Sequence, residues 1–375
     1  KGGYDFLPKQ QKIRNYINGI LKSTFEEYGY LPIETPILCY FDMLAGKYDE
    51  DNDILNEIYK LKDQGNRNLG LRYDLTVPFA KFIALNKNEL KLPFKRYEIN
   101  KVFRDGPVKV GRDREFTQCD VDVVGLSNQM IEAELLSLYV NAFTKLNIEI
   151  NIKYNSRKLM KGLILDTGVK EELVPSTITI IDKIDKLTTE ELTQNFIELG
   201  LEEKQITLLL KYFKLSLEEL NNRFKDTTNQ DIKEGLEELN NLEEYIIKMN
   251  LREYCTFTSS LARGQDYYTG NVFEVYEKNG ALTGAIGGGG RYDKMITEFI
   301  DDGEIYPAVG ISFGLTSIFE LLKNREDFKD SSPVDIYIIP MGTNIESLKL
   351  ANKLRELNIK VDLEMNNKKL KKSLD

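Results

Sequence analysis

The 375-residue sequence contains no histidine and no tryptophan. Without histidine, imidazole acid–base catalysis and His-based metal binding are excluded together. Any chemistry must come from arginine, lysine, carboxylates, amides and tyrosines. Cysteine is scarce: Cys39, Cys119 and Cys255 are odd in number and far apart, so neither a disulfide framework nor a metal site is expected. That usage suits a reducing cytoplasm. No apolar run approaches the ~20 residues of a membrane span, and the opening KGGYDFLPKQQKIR lacks a signal peptide's apolar region. Positive charge is in deficit, with 51 Lys and Arg against 60 Asp and Glu, a net −9. This argues against a protein that coats nucleic acid nonspecifically, but not against a local basic patch. The one dense basic cluster is Lys368, Lys369, Lys371 and Lys372, which fits a solvated helix face equally well.

What is present reads as an ordinary soluble globular chain, 41% hydrophobic and 30% charged. Its length allows two or three domains around one sizeable core. Ile13, Ile17, Ile20, Leu21 and Phe25 have helical spacing between Lys9 and Tyr28, closed by Gly29. An extended stretch, Tyr30 to Ile37, follows, then an acidic turn at Asp49 to Asp53 and a strand at Ile58 to Leu61. Gln129 to Leu146 reads as a helix and Ile148 to Tyr154 as a strand. From Ser156 to about Met249 the pattern is almost wholly helical, and strands then resume, so this segment reads as an insertion. Ser331 to Pro333 reads as a linker before a buried strand, Val334 to Pro340. A helix and a further strand, Ile359 to Leu363, complete a βαβ unit.

Four stretches carry chemistry. VFRDGPVKVGRDREFTQCDVDVVG, Val102 to Gly125, alternates as a hairpin around Gly106-Pro107. Arg104, Arg112, Arg114, Gln118 and Asp122 could grip phosphates at one end and a small polar ligand at the other. By charge pattern alone, a solvated edge hairpin is the plainer reading. In LRYDLTVPFAKFIA, Asp74 and Thr76 fall where a strand gives way to a helix, so Asp74 also reads as an ordinary N-cap. LARGQDYYTGNVFEVYE presents Arg263, Tyr267 and Tyr268 before an alternating strand. GAIGGGGRYDKM has four successive glycines, which let backbone pass close to a ligand. It lacks the strand–helix context of a dinucleotide loop.

Read as written, FRDGP…GRDREFTQCDVDVVG resembles motif 2 of class II aminoacyl-tRNA synthetases in its histidyl-tRNA synthetase form. LARGQDYYTG is similar to that family's LARGLDYYTG signature, with Gln265 in place of leucine. LRYDLT is similar to its amino-acid-binding element, the first helix and strand to motif 1, and Ala308 to Leu322 to motif 3. The resemblance spans essentially the whole chain. It implies an α+β fold, with an antiparallel-sheet catalytic domain in two parts (1–155 and 251–328) and a helical insertion (156–250). An α/β anticodon-binding domain would begin at 333–375 and lack roughly half of an expected ~100 residues. YNSRKLMKGLI resembles the insertion of eukaryote- and archaea-type members, which leans on the tRNA acceptor arm.

The implied activity is histidine–tRNA ligation, with ATP as co-substrate, Mg²⁺ as cofactor, L-histidine and tRNA(His) as partners, and a homodimer as the assembly. No membrane partner and no resident metal site are expected. Arg104 and Arg263 would meet the α-phosphate from two sides. Asp74, Thr76 and Gln118 would take the α-ammonium, and Asp122 and Tyr268, beside Tyr267, the imidazole. Phe116 would stack on adenine, with Arg112 and Arg114 helping to hold the triphosphate. The pattern departs from the family at motif 3, where Thr316-Ser317 replaces a Glu-Arg pair whose arginine grips the γ-phosphate. Ser317 offers one hydrogen bond and no charge. That departure keeps a second reading open: a non-catalytic, histidine-binding regulatory subunit of ATP phosphoribosyltransferase.

Overall fold

The structure, a computed structural model, describes residues 2–45, 53–108, 113–184, 186–263, 267–328 and 334–366. Helix α1, Pro8–Glu27, starts with proline at its first position and ends before Gly29, whose φ of 77° suits a residue without Cβ. Ile13, Ile17, Leu21 and Phe25 are at most 2% exposed and form the helix's apolar stripe.

That stripe packs on one face of an eight-stranded sheet. In chain order its strands are β1 (Leu31–Pro32), β2 (Phe94–Phe103), β3 (Glu115–Val124), β4 (Ile150–Ser156), β5 (Cys255–Phe257), β6 (Asn271–Glu277), β7 (Gly287–Arg291) and β8 (Ala308–Gly314). Across the sheet the order is β1-β2-β3-β8-β7-β6-β4-β5. The six central strands are antiparallel, and β1 and β5 join the edges in parallel. Phe25 meets Tyr97 and Phe313, each at 5.5 Å between ring centroids. Helix α3, Gln129–Lys145, adds Tyr139 and Phe143 to Phe313, at 4.7 and 5.4 Å. Cys119, Val121 and Val123 of β3 are buried on this side. Strand alternation therefore turns Gln118, Asp120 and Asp122 to the opposite face. Helix α2, Thr76–Asn86, and helix α4, Leu315–Leu322, each bring their first turn to the pocket on that face.

Among the described residues six α-helices lie between β4 and β5: Arg157–Asp166, Val174–Ile181, Thr189–Glu198, Glu203–Tyr212, Leu217–Arg223 and Gln230–Lys248. The first and last cross closely, and a Cβ on Gly235 would lie 2.4 Å from the Leu159 amide nitrogen. The chain folds into two compact units, 1–322 and 323–375. In the second unit Ile336–Ile338 pairs in parallel with Val361–Leu363 through helix Asn344–Glu356, a βαβ connection.

Three expectations need correction. Tyr30 to Ile37 is a strand only at Leu31–Pro32. The strand expected at Ile58 to Leu61 begins at Lys60 and is exposed, because helix Asp53–Glu57 takes up the residues before it. The strand expected buried at Val334 to Pro340 spans only Ile336–Ile338, with Ile336 and Tyr337 exposed, since among the described residues one helix alone packs on it. The expected linker, the acidic turn up to Asn52 and the basic cluster near the end lie outside the described residues.

Candidate active site

The polar face of the sheet opens into a cleft of about 610 Å³. Arg104, just past the end of β2, and Arg263, before β6, are 159 positions apart in sequence, yet both line it. So do Asp74 and Thr76 beside α2, Phe116, Gln118 and Asp122 from β3, Tyr267 and Tyr268, and Ser317 on α4. Arg112, Gly264 and Asp266 lie outside the described residues. Arg114 does not line the cleft. Its guanidinium is turned back onto the hairpin, with Nη2 3.2 Å from Asp105 and Nε donating to the Gly106 carbonyl at 3.1 Å. It buttresses the turn.

Arg104 lies between two rings, its guanidinium carbon 4.2 Å from the Tyr73 centroid and 4.9 Å from Phe116. Cation–π attraction holds the side chain flat, and its Nε donates to the Tyr73 carbonyl at 3.3 Å. Arg263 is anchored through Nη1 to Glu274 at 3.0 Å, and the Tyr276 hydroxyl fixes the other Glu274 oxygen at 2.5 Å. Its buried Nε makes no hydrogen bond among the described residues. Both guanidiniums are thus oriented with donor capacity to spare.

Asp74 stands one position before the N-cap of α2, which is Leu75. Its Oδ1 accepts from the Val77 amide at 3.1 Å, capping α2, and the side chain lines the cleft. Asp122 is in the cleft and firmly held: Arg96 Nη2 lies 2.6 Å from Oδ2, and the Tyr292 hydroxyl donates to Oδ1 at 2.5 Å. Arg96 also faces Glu98, which pairs with Arg72 at 3.1 Å. These charges are 0–4% exposed. Among the described residues Asp120 receives hydrogen bonds from neutral donors, Gln118 Nε2 at 3.4 Å and the Ser312 hydroxyl. Burial pushes its carboxyl up to about 7, with Arg96 opposing and Asp122 reinforcing the shift.

The glycine run forms β7 itself rather than a loop between strands. A Cβ on Gly288 would lie 2.2 Å from Arg263 Nη1, and one on Gly289 would lie 2.1 Å from the Gly310 carbonyl oxygen. Gly310 of β8 does the same service for Asp122, whose Oδ1 would be 1.8 Å from an added Cβ. The space these glycines leave is taken by the Arg263 guanidinium, the β8 backbone and the Asp122 carboxylate.

The family model described as histidyl-tRNA synthetase matches residues 2–318. The chain belongs to the histidyl-tRNA synthetase family. It is similar to histidine–tRNA ligase 1 of Bacillus cereus, 45% identical over all of this chain and 88% of that one. A histidine–tRNA ligase of Clostridium tetani is 33% identical over 99% of this chain and 86% of its own. The crystal structure of histidyl-tRNA synthetase from a Nostoc species superposes with a TM-score of 0.86 at 27% identity, covering 100% of this chain and 87% of that one. The α+β class II synthetase fold follows. These relatives are bacterial, so the expected eukaryote- or archaea-type affinity is not supported. Nor is the regulatory-subunit reading favoured, since full-length relatives are named as ligases.

The synthetase cleft holds residues the motifs did not single out: Asp120, Glu274, Tyr292 and Ser312. Asp120 had a legible signal, because it shares strand parity with Gln118 and Asp122. Arg96 could have been placed by the hairpin register, which sets it opposite Asp122. Tyr292 had none, since its contact with Asp122 spans 170 positions.

Proposed function

We propose that this cleft is where histidine is joined to AMP, with Arg104 and Arg263 as the two guanidiniums on the reacting phosphate. The chain is an aminoacyl-tRNA ligase, a histidine–tRNA ligase. Its first step forms a bond between a carboxylate oxygen of histidine and the α-phosphorus of ATP, and the bond to pyrophosphate breaks. The nucleophile is already ionised, so no base is required; alignment and stabilisation of charge on the phosphoryl oxygens suffice. A chain without histidine has the groups for both. In the second step the terminal adenosine hydroxyl of tRNA(His) attacks the activated carbonyl and AMP leaves.

The observation that carries this reading is the meeting of Arg104 and Arg263 in one cleft, each braced by its own partners. Asp74, Thr76 and Gln118 would receive the α-ammonium. Tyr267, Tyr268 and Asp122 would border the imidazole, and Phe116 would stack on adenine. Ser317 would meet the phosphate tail. Among the described residues no group of three or more Asp, Glu or Cys is placed to hold a metal ion. Mg²⁺ would arrive on the phosphates of ATP, as it commonly does, and no step here depends on it.

The helices of 157–248 would contact the acceptor arm, and 333–375 would begin an anticodon-binding domain. A cytoplasmic homodimer is the assembly we infer. Histidine-dependent exchange of pyrophosphate into ATP tests the reading. Wild-type protein should exchange, while Arg104→Ala and Arg263→Ala should each lose roughly 10²–10³-fold in rate. A wild type that fails to exchange ends the proposal.

A further inference from the structure

Arg263 has two ways to meet Glu274, and it takes the looser one. A guanidinium facing a carboxylate commonly closes a fork, two parallel N–H···O bonds that occupy two of its donors and both oxygens. Here a single bond forms, from Nη1 to Oε1 at 3.0 Å. Arg263 Nε is buried without a hydrogen bond among the described residues, and the Tyr268 hydroxyl stands beside the guanidinium.

The second Glu274 oxygen is taken by Tyr276. Both residues belong to β6, two positions apart, so strand alternation puts them on one face. The Tyr276 hydroxyl donates to Oε2 at 2.5 Å, a short bond of the kind an O–H makes to a carboxylate. Its ring is held in turn. Lys153 of β4, which faces Glu274 across the ladder, has its Nζ 5.2 Å from the ring centroid. Tyr276 does not line the cleft, so whatever it does for the reaction passes through Glu274.

We propose that Tyr276 is a positioning residue: by occupying Oε2 it keeps Arg263 anchored at one point and leaves the remaining donors for the phosphate. This rests on reading Arg263 as a ligand of the reacting phosphate. Remove the hydroxyl, and the cation already bonded to Oε1 captures Oε2 as well. The fork closes, and a second donor is lost to Glu274. That donor matters most where charge develops on the phosphoryl oxygens, so the loss falls on the rate of adenylate formation rather than on substrate binding.

The experiment measures histidine-dependent pyrophosphate exchange in Tyr276→Phe, which keeps the ring and deletes the oxygen, alone and combined with Arg263→Ala. Alone, it should lower kcat roughly tenfold or more and leave the KM for histidine and for ATP within about threefold. Combined with Arg263→Ala, it should change kcat by less than about twofold, because no guanidinium remains to be captured. Tyr276→Met gives the same readouts should the phenylalanine variant fail to fold. A hydroxyl that merely stabilises the sheet would lower both backgrounds alike. An equal loss in the two backgrounds, or no loss in Tyr276→Phe alone, overturns the inference. Exchange by the wild type, and its decline in Arg263→Ala, keep those outcomes distinct from failure of the reading beneath it.

Discussion

The cleft and the helical segment 157–248 are both rich in charge, and they use it in opposite ways. In the helices, Lys158 pairs with Glu234 and Glu238, and Lys161 with Glu171, at 2.7–2.9 Å and with the lysines 30–39% exposed. Lys248 with Glu244 is more exposed still. Thr188 with Glu191 and Ser216 with Glu219 close capping boxes within three residues. Such contacts are water-screened, and each contributes little. Behind the cleft, Arg72, Glu98, Arg96 and Asp122 form a chain of buried charges that ends at the cleft wall. Each member is costly to bury alone and tolerable only beside the next. Screened charge decorates the helices, and buried charge shapes the pocket.

The sharpest way to break this contrast is to remove one link of the buried chain. Glu98→Gln should cost about 3–5 kcal/mol, because Arg72 and Arg96 lose a shared counter-ion. Chemical denaturation would measure it. A loss below about 1 kcal/mol would mean the buried chain behaves like a surface pair.

Next comes the glycine strand. Gly288→Ala should push Arg263 aside and lower the exchange rate about 10²-fold, while the circular dichroism spectrum stays unchanged. An equal loss from Gly19→Ala, on α1 with no neighbour within 4 Å, would contradict the packing argument.

Asp120 gives a pH signature that the helices lack. Its folded carboxyl titrates at about 7 against 3.8 for the ordinary group, raised chiefly by burial. The folded state thus holds the proton more tightly. The stability this contributes is full below about 3.8 and is lost as pH rises through 7. Arg96 and Glu98 from β2, Asp122 from β3, and Asp74, Tyr139 and Tyr268 share its field. Asp120→Asn removes the titration, so its melting temperature should gain on wild type by roughly 5 °C between pH 5 and pH 8. A constant difference across that range would argue that Asp120 is ionised throughout.

A smaller effect is expected at Ser317→Arg, which restores a cation where the family has one. The KM for ATP should fall roughly threefold to tenfold, read from exchange at varied ATP, if charge near the γ-phosphate is what the cleft lacks. At the far end of the scale, Ser216→Ala should cost about 1 kcal/mol in thermal or denaturant melts, the ordinary worth of an N-cap. Lys248→Ala should leave the melting temperature unmoved.

The same division explains what could be read from the residues alone. α1, α3 and the helices of 157–248 follow from apolar spacing and caps, which act over three or four residues. The β2–β3 hairpin, and with it Arg104, Phe116, Gln118 and Asp122, follows from alternation about a turn. Asp74 was legible as a cap and as a cleft residue because one carboxylate does both. The turn of Arg114 back onto Asp105 leaves no trace in the spacing. The partners of Asp122 and Arg263 depend on which strands neighbour β3 and β7, information carried by the whole sheet.

One consequence of β7 reaches beyond activity. Its central residues have no side chains, so that wall of the pocket is shaped by peptide planes held in a ladder with β6 and β8. Substitution there has nothing to trim and no room to enlarge. Anyone redirecting this enzyme to another amino acid must therefore work from β3, the Tyr267–Tyr268 turn and the start of α2, leaving the glycines untouched.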